Sequence, residues 1–124
     1  MQSFIFAAMA FEKKYNWHKI AESAAEITQR GERNMAYVKV AGKEICITHH
    51  NQELHACTAN CPHAGEHLYE GWLDQLGNIV CPLHRYRFSV VNGRNTSGEG
   101  YHLKTYPIKE NDDGVFVGME ANSW

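Results

Sequence analysis

From Tyr15 onward, apolar residues recur at every second position or in short runs, and turn-forming residues interrupt them every eight to twelve positions. That spacing predicts short strands, with little for a helix to work with. Met35-Ala36-Tyr37-Val38-Lys39-Val40 alternates cleanly, Ala41-Gly42-Lys43 supplies a turn, and Glu44-Ile45-Cys46-Ile47-Thr48 returns, which predicts a hairpin. His50-Asn51-Gln52 turns the chain again into a third strand from Leu54 to Thr58. Short strands are expected over Leu68 to Trp72 and Ile79 to Val80, with a turn at Leu76-Gly77-Asn78 between them. Leu103 to Glu110 is expected to pair with Val115 to Met119 across Asn111-Asp112-Asp113-Gly114, and Pro107 marks an edge or a strand start. Ile20 to Gln29 reads either as a turn or two of helix before Gly31 or as the loop between the first strands. Irregular stretches remain at Thr58 to Glu66, Pro82 to Arg87 and Asn92 to His102. The first two follow or contain Cys-His pairs, so the chemistry is expected there.

A chain of 124 residues is long enough for one domain and too short for two, and the expected division is an extension over 1–14 and a single all-β domain over 15–124. With 44% hydrophobic and 21% charged residues the chain should fold. Twelve Lys and Arg against fourteen Asp and Glu give a net charge of -2, without the broad basic field that nucleic-acid binding needs. Phe4 to Phe11 (FIFAAMAF) is apolar, but Met1-Gln2-Ser3 carries no Lys or Arg, which makes it a poor signal peptide. It also falls well short of the roughly 20 apolar residues of a membrane span. The expectation is an extension packed on the domain, a cytoplasmic location, and neither membrane nor nucleic acid as partner.

Four cysteines and eight histidines in a cytoplasmic chain point to metal binding more than to disulfides. Cys61-Pro62-His63 and Cys81-Pro82-Leu83-His84 form the pattern C-x-H-x17-C-x2-H, so each loop offers one thiolate and one imidazole. Two Cys and two His could close a tetrahedral zinc site, although structural zinc more commonly draws two cysteines from one knuckle and two histidines from the other. Mixed pairs suit a two-iron, two-sulfide cluster with cysteines on one iron and histidines on the other. Cys46 and Cys57 lie inside expected strands and read as small buried residues.

At these residues the sequence resembles the Rieske family, and the likeness extends through CPHAGEHLYEGWLDQLGNIVCPLH and, more weakly, over about Tyr15 to Met119. The resemblance implies an all-β Rieske fold of antiparallel sheets with an inserted cluster-binding subdomain at about 60–88. Its cofactor would be a Rieske [2Fe-2S] cluster, with Cys61 and Cys81 on the buried iron and His63 and His84 on the outer one. High-potential members carry two further cysteines, where this chain has Glu66 and Leu83, and a serine and a tyrosine that donate hydrogen bonds to sulfur, where it has Tyr86 and Phe88. Fewer such bonds imply a potential toward the bottom of the class range of about -150 to +300 mV. After the second histidine the family usually has glycine, whereas this chain has Arg85, so either the backbone there is ordinary or the loop differs. Arg85, Arg87 and His67 add positive charge, countered by Glu66 and Glu70. The implied role is a low-potential ferredoxin of the ring-hydroxylating oxygenase type, an electron carrier between a flavin-dependent reductase and a terminal oxygenase or similar acceptor, without substrate turnover of its own. A zinc-bound or cluster-free regulatory module and an iron-sulfur redox sensor remain open as alternatives.

Overall fold

A computed structural model describes residues 14–30, 34–63 and 65–121. The expected extension, with its apolar FIFAAMAF run, lies outside the described residues apart from Lys14. The first strand, β1 (Tyr15–Ala21), is followed by a short helix α1 (Ala24–Arg30), then by the meander β2 (Met35–Val40), β3 (Lys43–His50) and β4 (Glu53–Thr58). After a 3-10 turn at Leu68–Glu70 come β5 (Trp72–Leu73), β6 (Asn78–Val80), β7 (Arg87–Ser89), β8 (Thr105–Tyr106), β9 (Ile108–Asn111) and β10 (Gly114–Glu120). These strands form three antiparallel sheets, ordered β1-β10-β9, β2-β3-β4-β8 and β5-β6-β7.

The β2-β3-β4 meander has the expected register, and each of its two-residue turns uses positive φ at both central positions, Ala41 and Gly42 in one, Asn51 and Gln52 in the other. Such turns match the right-handed twist of the flanking strands. β3 is apolar on both faces because the sheet carries a core on each side. Ile45 and Ile47 face one core with Ala36, Ala56, Ile27, Val115 and Val117, while Cys46 joins Cys57, Met35, Leu68, Ile79, Phe88 and Leu103 in the other. The second core anchors the β5-β6-β7 subdomain, so the central sheet is the platform on which the Cys-His loops stand.

Four expectations change. The strand foreseen over Leu103 to Glu110 is split at Pro107: Thr105 and Tyr106 pair with β4 in the central sheet, and Ile108 onward pairs with β10 in the other. Proline has no N–H to continue a ladder, and its carbonyl still accepts the Gly118 N–H at 2.9 Å, so it marks the crossing between sheets. Leu68 to Glu70 is a 3-10 turn instead of a strand, and the strand is confined to Trp72 and Leu73. Ile20 and Ala21 belong to β1, and the helix begins only after Ser23, whose Oγ accepts the Glu26 N–H at 3.3 Å. Arg87, expected in an irregular stretch, and Phe88 and Ser89, unassigned from the sequence, form β7 by pairing with β6. Among the described residues no helix is long and apolar enough to cross a membrane.

Candidate metal centre

The two Cys-His loops repeat one backbone design. In the first, the Gly65 N–H donates to the Cys61 carbonyl at 2.8 Å and the Cys61 N–H to the Glu66 carbonyl at 2.8 Å. In the second, the Arg85 N–H donates to the Cys81 carbonyl at 2.9 Å and the Cys81 N–H to the Tyr86 carbonyl at 2.9 Å. The fifth residue of each loop sits in the left-handed region, Gly65 at φ 71° and Arg85 at φ 61°. The expectation that an arginine there means ordinary backbone or a different loop is corrected: the loop keeps its left-handed residue and places an arginine in it.

These loops bring the expected residues together as two pairs, one of cysteines and one of histidines. Cys61 and Cys81 are buried in the second core beside Phe88, Leu68 and Ile79. His63 and His84 approach with their Nδ1 atoms 3.3 Å apart and their rings tilted by 58°. Two nitrogens bound to one tetrahedral metal at about 2.0–2.1 Å lie about 3.3–3.4 Å apart, so the imidazole pair has the spacing of two ligands on one ion. Among the described residues no group of three or more His, Cys, Asp or Glu side chains gathers around a single point. Two imidazoles at the spacing of ligands on one ion, with two cysteines buried in the same twin loops, are the donors that a cluster with histidines on one iron and cysteines on the other needs. The donor set therefore fits a dinuclear iron-sulfur group.

The surroundings fix these side chains. Tyr86 stacks on His63 at 4.3 Å between ring centroids, and Tyr101 closes the same side at 5.4 Å from His63. His63 is half-buried and His84 exposed, so the pair is asymmetric toward solvent. The loop that carries Tyr101 is tied by Asn95, whose Oδ1 accepts the Glu99 and Gly100 N–H groups and whose Nδ2 donates to the Arg87 carbonyl. Hydrogen bonds from Ser97 and Asn95 hold the Glu99 carboxyl below the ordinary carboxylate value. Below the second loop, Asp74 accepts hydrogen bonds from the Leu76 and Asn78 N–H groups, from Asn78 Nδ2, and from Arg87 at 2.6 Å. Burial pushes the Asp74 carboxyl up, but these bonds outweigh it and the net direction is down. Arg87 is thus spent on Asp74, whereas Arg85 forms no ion pair among the described residues.

Glu66 is half-buried and Leu83 exposed, and none of the four cysteines is in a disulfide. Cys46 and Cys57 face each other across β3 and β4, fully buried, as small core residues should be. The Cys57 thiol is pushed well up by its contact with Cys46 and by burial, so it stays protonated. Sequence reasoning did not single out Tyr101, Asp74 or Asn95. The Asp-x-x-x-Asn spacing of Asp74 and Asn78 was the available signal for one of them, since Asp caps nearby backbone N–H groups in turns.

A family model described as the Rieske [2Fe-2S] domain matches residues 16–107. The chain belongs to the Rieske family. A Rieske-type [2Fe-2S] cluster is its cofactor, and its antiparallel architecture is the Rieske fold. Among Rieske relatives, it is 34% identical over 90 residues to the ferredoxin component of the naphthalene 1,2-dioxygenase/salicylate 5-hydroxylase systems of Ralstonia sp., covering 72% of this chain and 86% of that protein. It is 31% identical over 81 residues to the ferredoxin component of the alkene monooxygenase system of Xanthobacter autotrophicus, covering 65% of this chain and 66% of that one. A solved complex of reduced oxygenase and oxidized ferredoxin in carbazole 1,9a-dioxygenase contains a chain of the same fold, at a TM-score of 0.71 and 22% identity over 86% of this chain and 95% of that one.

Proposed function

We propose that Cys61 and Cys81 hold the inner iron of the [2Fe-2S] cluster and His63 and His84 the outer iron, and that the chain carries single electrons from a flavin-dependent reductase to a terminal oxygenase or similar acceptor in the cytoplasm. The observation that carries this reading is the Nδ1 pair at 3.3 Å, contributed by the same twin loops that bury two cysteines. When bound, the cluster supplies a one-electron couple. The chain's own residues surround that couple. Phe88, Leu68, Ile79 and Leu103 keep water from the cysteine side, and Tyr86 fixes the ring plane of His63. The exposed edge of His84 lets an acceptor come close. Phe88 has no hydroxyl to donate to sulfur, which favours a low potential for the class. Both relatives are named as ferredoxin components of oxygenase systems, which supports the carrier role.

Metal and sulfide analysis of anaerobically purified protein, with low-temperature EPR before and after dithionite, tests this. Two irons and two sulfides per chain are expected, with a rhombic signal only on reduction. Cys61→Ala and Cys81→Ala should abolish that signal, while Cys46→Ala and Cys57→Ala should keep it. One zinc and no sulfide from iron-replete cells would overturn the assignment.

A further inference from the structure

The twin loops allow an internal comparison. At the fifth position the first loop has Gly65, with open space where a Cβ would stand, and the second has Arg85 with the same left-handed backbone and the same hydrogen bond back to its cysteine. Glycine therefore satisfies this geometry, and arginine adds nothing to it. A Cβ in the left-handed region costs about 1–2 kcal/mol. Arg85 carries that cost at the position where the twin loop avoids it with glycine. The Arg85 side chain is exposed, forms no ion pair among the described residues, and follows directly on His84, the more exposed imidazole. Its neighbour Arg87 is neutralised by Asp74, so Arg85 supplies the free positive charge of the loop. On the other side of His84, Leu83 is 50% exposed. An exposed apolar residue and an exposed arginine thus flank His84 in the chain.

We propose that Arg85 is a specificity-determining residue of the electron-transfer surface, a cation beside His84 that selects a redox partner presenting carboxylates around its electron entry point. The inference rests on the ligand assignment above. Charge at such a position steers encounter and so acts on association rate.

The test uses dithionite-reduced holoprotein, its cluster content verified by iron and EPR, mixed in a stopped-flow apparatus with ferricyanide or with tris(phenanthroline)cobalt(III). Removing one cation close to the electron exit should slow reaction with the trivalent anion by about five- to tenfold at low salt, with the difference shrinking as salt screens it. Reaction with the cationic complex should accelerate. Arg85→Gly should show both effects and melt at a higher temperature through release of strain, and Arg85→Lys should restore the wild-type rates. Lys109→Gln, which removes a charge from β9, should change either rate less than twofold. Equal effects from Arg85→Gly and Lys109→Gln, with the cluster intact, would overturn the proposal and leave the ligand assignment standing. Absence of the cluster from the wild-type protein would overturn both.

Discussion

Asp74→Asn probes how the second ligand loop is held. The Asp74 Oδ1 accepts the Leu76 and Asn78 N–H groups at 2.9 Å each, and Oδ2 accepts Asn78 Nδ2 at 3.0 Å and Arg87 at 2.6 Å. An asparagine retains one oxygen for the two backbone donors but turns an NH2 group toward two other donors. Hydrogen bonds to a charged group are worth about 1.5–3 kcal/mol each. Because the Arg87 side chain is 44% exposed, its share is reduced by solvent, and the expected loss is about 2–3 kcal/mol for the pair. For a domain of this size that is a fall of about 8–12 °C in the thermal midpoint. The assay is the far-UV circular dichroism melt at fixed scan rate, followed alongside the visible absorbance of the cluster. Since Asp74 titrates below its ordinary value, its contribution is present above the unfolded carboxylate pKa of about 3.9 and is lost as pH falls through the folded value. The gap between wild type and variant should therefore hold constant from about pH 8 to about pH 5. A fall of under about 3 °C, or a gap that closes near neutrality, would refute the assignment of Asp74 as the pin of this loop.

His55 has a side chain only 18% exposed, and burial lowers its pKa, with His50 adding to the shift and Glu53 opposing it. A neutral ring is thus favoured in the fold, so this contribution is present above the unfolded value of about 6.5 and is lost as pH falls. Urea titrations at pH 7.5 and 5.5 should show wild-type stability dropping, and His55→Gln should flatten part of that slope. Gly71 has φ -85°, so glycine is needed there for space alone: a Cβ would stand 1.8 Å from the Val80 carbonyl oxygen, just before Cys81. Gly71→Ala should cost more than about 3 kcal/mol and strip the cluster, as loss of visible absorbance reports. Gly42→Ala, with open space around it but φ 81°, should cost only about 1 kcal/mol and keep the cluster.

The sequence by itself determined most of the strands, because period-two burial and paired turn residues are local signals: the β2-β3-β4 meander stands in its expected register. It also set apart the two cysteines proposed as ligands, since Cys-x-His and Cys-x2-His are read from spacing, while Cys46 and Cys57 sit inside strands with apolar neighbours. Tertiary structure decided what depends on partners distant in the chain. Pro107 was visible as a strand boundary, but only packing shows that the strand changes sheets there, one half meeting β4 and the other β10. The tilted ring contact of Tyr101 with His63 joins residues 38 positions apart through a loop with no periodicity, held by Asn95 hydrogen bonds that composition does not reveal. Arg85 shows the division within one residue. Its oddity is legible as an arginine where the family resemblance leads to an expected glycine, but its left-handed φ, matching that of Gly65 in the twin loop, is seen only in the folded backbone, beside the hydrogen bond from its N–H to the Cys81 carbonyl.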